Sequence, residues 1–393
     1  MRCEWKRVKL KDCCYFKEGY VNPPQTHPEY FDGDIKWIRA VDLNDSYVHT
    51  TSRTLSQIGF ESAKKSAYLF PPDSIVISKS GTIGRLGIIK DYMCGNRATI
   101  NIRPKENINL FYLFYFLRSK QREFANLAVG SVQKNLYISI LEEIEIDLPS
   151  LQDQKRIAVT LSSLDNKIEL NNKINENLER QAQAFYQELF VDKANSDWKQ
   201  GTISDLGTVV GGSTPSKAKP EYYTETGIAW ITPKDLSINK SKFISHGEND
   251  ITELGLRNSS ATVMPKGTVL FSSRAPIGYI AIAAGEVTTN QGFKSVIPKP
   301  EIGTAFVYYF LKHNFPVIEG MASGSTFKEV SGSTMKRVPA PLPDSETLIR
   351  FNDFCKPVFA QQQILEEQNR SLEALRDSLL PKLMSGEIDV SYC

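Results

Sequence analysis

Long apolar runs, paired cysteines and histidine clusters are all missing from this sequence, and each absence removes a class of protein. The most apolar run, "INLFYLFYFL" (108–117), is about half the length a membrane span needs. No apolar stretch follows the opening "MRCEWKRVKL", so a secretory leader is not expected. Six cysteines occur, none in a CxxC pair, and Cys13 and Cys14 are adjacent. That usage reads as a reduced, cytoplasmic protein. The four histidines are scattered, which leaves no metal site to expect.

Catalytic motifs are missing as well. "GTVVGGST" (207–214) has the glycine spacing of a P-loop but places Ser213 where the lysine belongs. "NPPQ" (22–25) has the outline of an amino-methyltransferase tetrapeptide, but Gln25 cannot stack on a flipped base. "EWK" (4–6) and "DWK" (197–199) mimic the end of a nuclease motif, yet Glu4 has too little chain before it for the upstream aspartate. The matched Trp5 and Trp198 read as core anchors instead. No nucleophile or acid–base pair assembles, so no catalytic residue and no cofactor of the chain's own are expected.

What is present is an ordinary globular composition, 41% hydrophobic and 23% charged, over 393 residues. That length allows two or more domains with proper cores. The net charge of +2 divides unevenly: segments 152–190 and 344–390 sum to about −5 and the remainder carries about +7. This modest basic excess permits nucleic-acid binding without demanding it.

The chain is one unit written twice. "PEYFDGDIKWIRAVDL" (28–43) matches "PEYYTETGIAWITPKDL" (220–236), and "PPDSIVISKSGTIG" (71–84) matches "PKGTVLFSSRAPIG" (265–278). "AVGSVQKNL" (128–136) matches "ASGSTFKEV" (322–330), at an offset of 194 that holds from about residue 66 onward. Such a period is far too long for a solenoid, so each copy is a domain-sized module. Each begins with about 150 residues of mixed strands and helices, in which "SIVIS" and "TVLFS" read as strands before Gly-containing turns. Each ends in a long helix. From Ile157, residues Leu161, Leu164, Ile168, Asn171, Asn175, Leu178, Ala182, Phe185 and Leu189 fall at steps of four and three, a heptad seam. The second helix offers Phe354, Val358, Gln361, Leu365, Gln368, Leu372, Leu375 and Leu379.

A helix of about 37 residues is about 55 Å long. A globular part with a radius of gyration of roughly 15 Å cannot easily return the chain along it. An antiparallel pair avoids that journey. The expected fold is therefore two pseudo-repeated α/β (α+β) domains joined by two long helices, in an antiparallel coiled coil with pseudo-twofold symmetry. The expected boundaries are 1–150 for the first domain, 151–195 for the first helix, 196–343 for the second domain, and 344–393 for the second helix and tail. The tail "SGEIDVSYC" (385–393) should return near Cys3 and Trp5, as "VDKANSD" (191–197) leads into Trp198.

The phrases "WITPKDL", "SSRAPIG", "NQGFK", "ASGSTFKEV" and "LLPKLMSGEIDV" (379–390), with the duplication, closely resemble the specificity subunit of type I restriction–modification enzymes. The resemblance covers nearly the whole chain. It implies two target-recognition domains reading an asymmetric, bipartite site in double-stranded DNA, with the helices as spacers. It further implies a pair of methyltransferase subunits as partners, using S-adenosylmethionine. Motor–nuclease subunits would use ATP with Mg2+ for cleavage. No membrane partner is implied. A recognition subunit for a fused methylase–nuclease, and a coiled-coil adaptor without DNA readout, are the alternatives.

Comparing the copies sorts the polar residues. Positions shared by both are candidates for scaffold or phosphate contact: Gly84/Gly278, Ser78/Ser272, Asn96/Asn290, Ser131/Ser325 and Lys134/Lys328. Positions that differ but stay polar are candidates for base readout: Lys79-Ser80 against Ser273-Arg274, Arg85 against Tyr279, and Arg97 against Gln291. Lys64, Arg257 and Lys294 complete the expected DNA-binding set. The shared Gly and Asn residues equally suit turns that need positive φ.

Overall fold

The computed structural model describes residues 5–130, 134–324 and 328–390. The chain divides into two compact units, residues 1–169 with 371–393, and residues 170–370. Each long helix therefore contributes to both units.

The units repeat one topology. The first holds a five-stranded sheet in the order Cys14–Glu18, Thr99–Pro104, Ser74–Ser78, Leu86–Ile89, Ser46–Val48. The second holds Gly207–Gly211, Lys294–Pro298, Val269–Ser273, Ile277–Ala283 and Phe243–Ile244 in the matching order. All neighbours are antiparallel except the last pair, which is parallel in both units. A four-stranded and a two-stranded sheet accompany each. The central strands "SIVIS" and "VLFSS" are buried at every position, because sheet neighbours flank them and side chains cover both faces.

The Phe/Tyr/Leu-rich helices Leu110–Ser119 and Thr304–His313 are buried on nearly all sides. Their polar tips fix each domain to the first long helix. In the first unit Tyr115 donates its hydroxyl to Asp165 at 2.6 Å, and Arg118 joins the same carboxylate at 3.2 Å. In the second, the equivalent Tyr309 and Lys312 donate to Glu179 at 2.9 and 2.6 Å. Lys242, almost fully buried, also pairs with Glu179 and donates to Gln362 at 2.8 Å. Burial alone would raise the Glu179 carboxyl, but Lys242 and Lys312 hold it down at about 2.

The long helices run Leu151–Gln187 and Ser345–Met384. In the second unit their segments are antiparallel, with Asn171 meeting Asn369 at 2.9 Å and the Asn175 carbonyl meeting Gln362 at 3.2 Å; in the first, Arg376 meets Asp165 at 2.6 Å. The first helix buries Ile157, Leu161, Ile168, Asn171 and Ala182 in the expected phase, and Leu189 is buried in the π-helical turn Glu188–Asp192 that follows it. The second does not follow its expected phase throughout. Its buried stripe is Phe351, Cys355, Val358, Gln362, Leu365, Asn369, Arg376, Leu380 and Leu383, while Phe354 and Leu375 are exposed. Polar side chains fill three seam positions because each has a partner there, and two apolar residues stand one step off the seam. The tail returns as expected: a Cβ at Gly386 would come within 3.1 Å of the Trp5 ring, and Val390 is buried in the same cluster. Cys3 lies outside the described residues.

Candidate nucleic-acid interface

Three loops meet at one place in each unit, and the same backbone hydrogen bonds join them. In the first unit the amide of Lys79 donates to the carbonyl of Ala98 at 2.8 Å, and that of Leu136 to the carbonyl of Lys79 at 2.9 Å. In the second, Ser273 donates to Gly292 at 2.7 Å and Val330 to Ser273 at 3.0 Å. The third loop is closed by a β-bridge, Val129 to Asn135 and Ser323 to Glu329. Lys134 and Lys328 are exposed just inside those bridges.

The shared small residues build this frame. Gly84 and Gly278 have φ of 89° and 98°, and a Cβ at Gly278 would strike the Phe315 ring at 2.2 Å. The Asn96 side chain accepts from the amide of Ala98 at 3.0 Å, and Asn290 from that of Gly292 at 2.8 Å. Ser78 and Ser272 accept from the amides of Arg85 and Tyr279 at 2.9 and 2.7 Å. Their turn-forming role is explicit. Ser131 and Ser325 lie outside the described residues.

On this frame Arg85, Arg97 and Lys134 are exposed in the first unit, with Ser80 half-buried. In the second, Gln291 and Lys328 are exposed and Arg274 is half-buried. These seven residues share the loop cluster. Three others expected there are turned inward. Ser273 is fully buried and donates to the Gly292 carbonyl at 3.1 Å, which makes it a brace of the turn. Lys294 has a side chain 14% exposed, 3.3 Å from Glu329, with further bonds to Ser273 and the Gln291 carbonyl. Lys79 pairs with Glu18 and is likewise 14% exposed; burial, then the nearby Arg97 charge, lower its pKa. Both Lys64, which follows the short helix Gln57–Glu61, and Arg257, the last residue of the short helix Glu253–Arg257, are exposed. Among the described residues no hydrogen bond or ion pair joins either to the loop cluster.

Two carboxylates in the cluster were not expected. Glu18 holds Lys79 in one unit, and Glu329 lies 3.3 Å from both Arg274 and Lys294 in the other. Glu329 stands beside Lys328 in "ASGSTFKEV", so its neighbourhood was the available signal. Among the described residues no three His, Cys, Asp or Glu side chains group as a metal site. No helix among them is long and apolar enough to cross a membrane.

The two units share one loop frame and differ in its polar rim, and comparison with known proteins names the family. The family described as Type I restriction modification DNA specificity domain matches residues 3–180 and again 195–374. The chain belongs to this family. It is a specificity subunit with two specificity domains, of a class whose catalysis lies in other subunits. The type I restriction enzyme MjaIX specificity subunit of Methanocaldococcus jannaschii is 41% identical over 191 residues, 46% of this chain. That alignment spans less than half of the relative, 44% of its length. The HindI specificity subunit of Haemophilus influenzae is 24% identical over 73% of this chain and 79% of its own. The crystal structure of a type I restriction–modification S subunit from M. genitalium shares the fold, with a TM-score of 0.62 and 18% identity. It covers 97% of this specificity subunit and 96% of its own chain.

Proposed function

We propose that the subunit reads a bipartite, asymmetric site in double-stranded DNA, one domain to each half-site, and docks a pair of methyltransferase subunits on its long helices. On this reading 1–150 and 196–343 are the recognition domains, and 151–195 and 344–393 the spacers with the tail. The observation that carries it is the repeated three-loop frame with a different rim in each unit. A frame common to both suits the duplex backbone, which is the same everywhere, and a changed rim suits different bases. The partner subunits supply the chemistry, S-adenosylmethionine for methylation and ATP with Mg2+ for translocation and cleavage.

Within this division Lys134 and Lys328 contact phosphate, while Ser80, Arg85 and Arg97 in one unit and Arg274 and Gln291 in the other face bases. The test is binding of duplex DNA by the chain purified with its methyltransferase subunits, across a range of salt. Affinity should fall steeply as salt rises. A complex that never shifts duplex DNA would contradict the reading.

A further inference from the structure

The expected DNA contacts omit one loop, which follows the tryptophan-bearing strand in each unit: residues 37–42 and 230–235. Three bonds of its frame are repeated. Trp37 donates its ring N–H to the Val21 carbonyl at 3.0 Å, and Trp230 donates to that of Ser213 at 3.0 Å. Asp42 accepts from the amide of Arg39 at 2.8 Å, and Asp235 from that of Thr232 at 2.7 Å. The loop is also tied to the asparagine turn of the candidate interface. Asn96 donates its amide to Ile38 at 3.1 Å, and Asn290 donates to Ile231 at 3.0 Å.

On that frame the rim residues differ: Arg39 against Thr232, and Val41 against Lys234. In the second unit Thr232 and Lys234 line a single cleft of about 460 Å³ with Trp230, Lys217, Arg274 and Gln291. This brings the new loop together with the two side chains already assigned to base readout there. In the first unit Arg39 lies over the Trp37 ring at 5.3 Å and donates to Ser52 at 2.6 Å. Val41 is 69% exposed.

We infer that residues 37–42 and 230–235 form a second base-reading loop in each domain, with Arg39 and Val41 in one and Thr232 and Lys234 in the other setting which bases are read. This rests on the DNA-reading function proposed above. Tryptophan and aspartate hold the backbone, so the rim can change without unfolding the loop, as a specificity determinant requires. Lys234 is 2.5 Å from Glu248, and that carboxylate offsets its attraction for phosphate and repels a backbone. An edge with neutral acceptors, such as guanine O6 and N7, remains the better partner. Val41 offers an apolar contact suited to a thymine methyl group.

The test uses the subunit co-expressed with its methyltransferase subunits, with methylated adenines mapped for the wild type and for K234A, T232R and V41K. Lys234 and Val41 are exposed, with a Lys234 side chain 62% exposed, so K234A and V41K leave the core intact. T232R removes the Thr232 hydroxyl bond to Asp235, while Asp235 keeps the backbone amides of position 232 and Glu248. K234A should lose on the order of tenfold discrimination at one position of one half-site and leave the other half-site unchanged. T232R should change the preferred base in that same half-site, and V41K should change the opposite one. Unchanged motifs, uniform weakening over all sequences, or complete loss of methylation would overturn the inference, because each denies the loop a base-specific role. A wild-type complex that methylates no gapped motif would instead defeat the reading on which it rests.

Discussion

The amide of Val330 donates to the carbonyl of Ser273 at 3.0 Å, and this bond helps tie the loop carrying Lys328 to the turn carrying Arg274. An exposed lysine and a carboxylate-held arginine thereby stand on adjoining loops with different chemistry available to each. Among the described residues no ion pair holds the Lys328 charge, which suits it to phosphate. Arg274, 3.3 Å from Glu329, is oriented before any ligand arrives.

The two residues should therefore separate in binding. Lys328→Ala is expected to weaken binding to every sequence and lower the salt slope by about one. Arg274→Ala should relax specificity at a single base pair, at roughly 1–3 kcal/mol. Titrations of the complex on a panel of duplexes at several salt concentrations measure both. Equal weakening on all duplexes by Arg274→Ala would contradict the division.

The second domain should depend on Glu179 for its attachment to the helices. Glu179→Gln leaves Lys242 buried without its counter-charge, and the loss of one partner of a buried pair costs about 3–5 kcal/mol. Lys242 keeps Gln362 and Tyr309, so the lower end of that range is expected, read from denaturant midpoints. The pH dependence follows from the sign of the shift. Glu179 is held at about 2 against an ordinary 4.5, so its stabilisation is present above the ordinary value and is lost as pH falls toward 2. The gap between wild type and Glu179→Gln should close over that window.

The asparagines of the helix seam should matter as a pair. Asn171 donates to Asn369 at 2.9 Å, and Asn369 donates to Asn172 at 2.8 Å. The Asn171 side-chain oxygen is buried with no partner among the described residues. Asn171→Leu alone should destabilise by about 1–3 kcal/mol, since it leaves the Asn369 side-chain oxygen without its donor. Asn171→Leu with Asn369→Leu should be close to neutral or stabilising, and thermal unfolding of the two variants decides it.

The tail packs on the beginning of the chain, with Trp5, Ile388 and Val390 in one cluster. Joining the two ends and opening the chain within 193–197 should therefore preserve both domains. The permuted subunit is expected to methylate the same sites as the parent, and a changed motif would count against it.

Much of the fold was legible because duplication prints every element twice. Matched phrases located both domains, and the four-and-three spacing from Ile157 located the first helix seam. The second seam was misread because Gln362, Asn369 and Arg376 are buried as polar residues, while Phe354 and Leu375 are exposed. Periodicity counts apolar residues and cannot see a buried side chain whose partner lies on another element. The same blindness placed Ser273, Lys79 and Lys294 at the DNA surface. Each is satisfied by groups distant in sequence, such as Gly292 or Glu18, so residue type alone gave no sign that they turn inward. The tryptophan loop was within the matched phrases from the start, but its link to the asparagine turn appears only in three dimensions.

The most direct measurement is the methylome of cells expressing this chain with its own methyltransferase subunits. Two domains with a common frame and different rims predict adenine methylation at a single motif of two unlike half-sites separated by an unread gap. Methylation at a continuous or palindromic motif, or at none, would contradict the account.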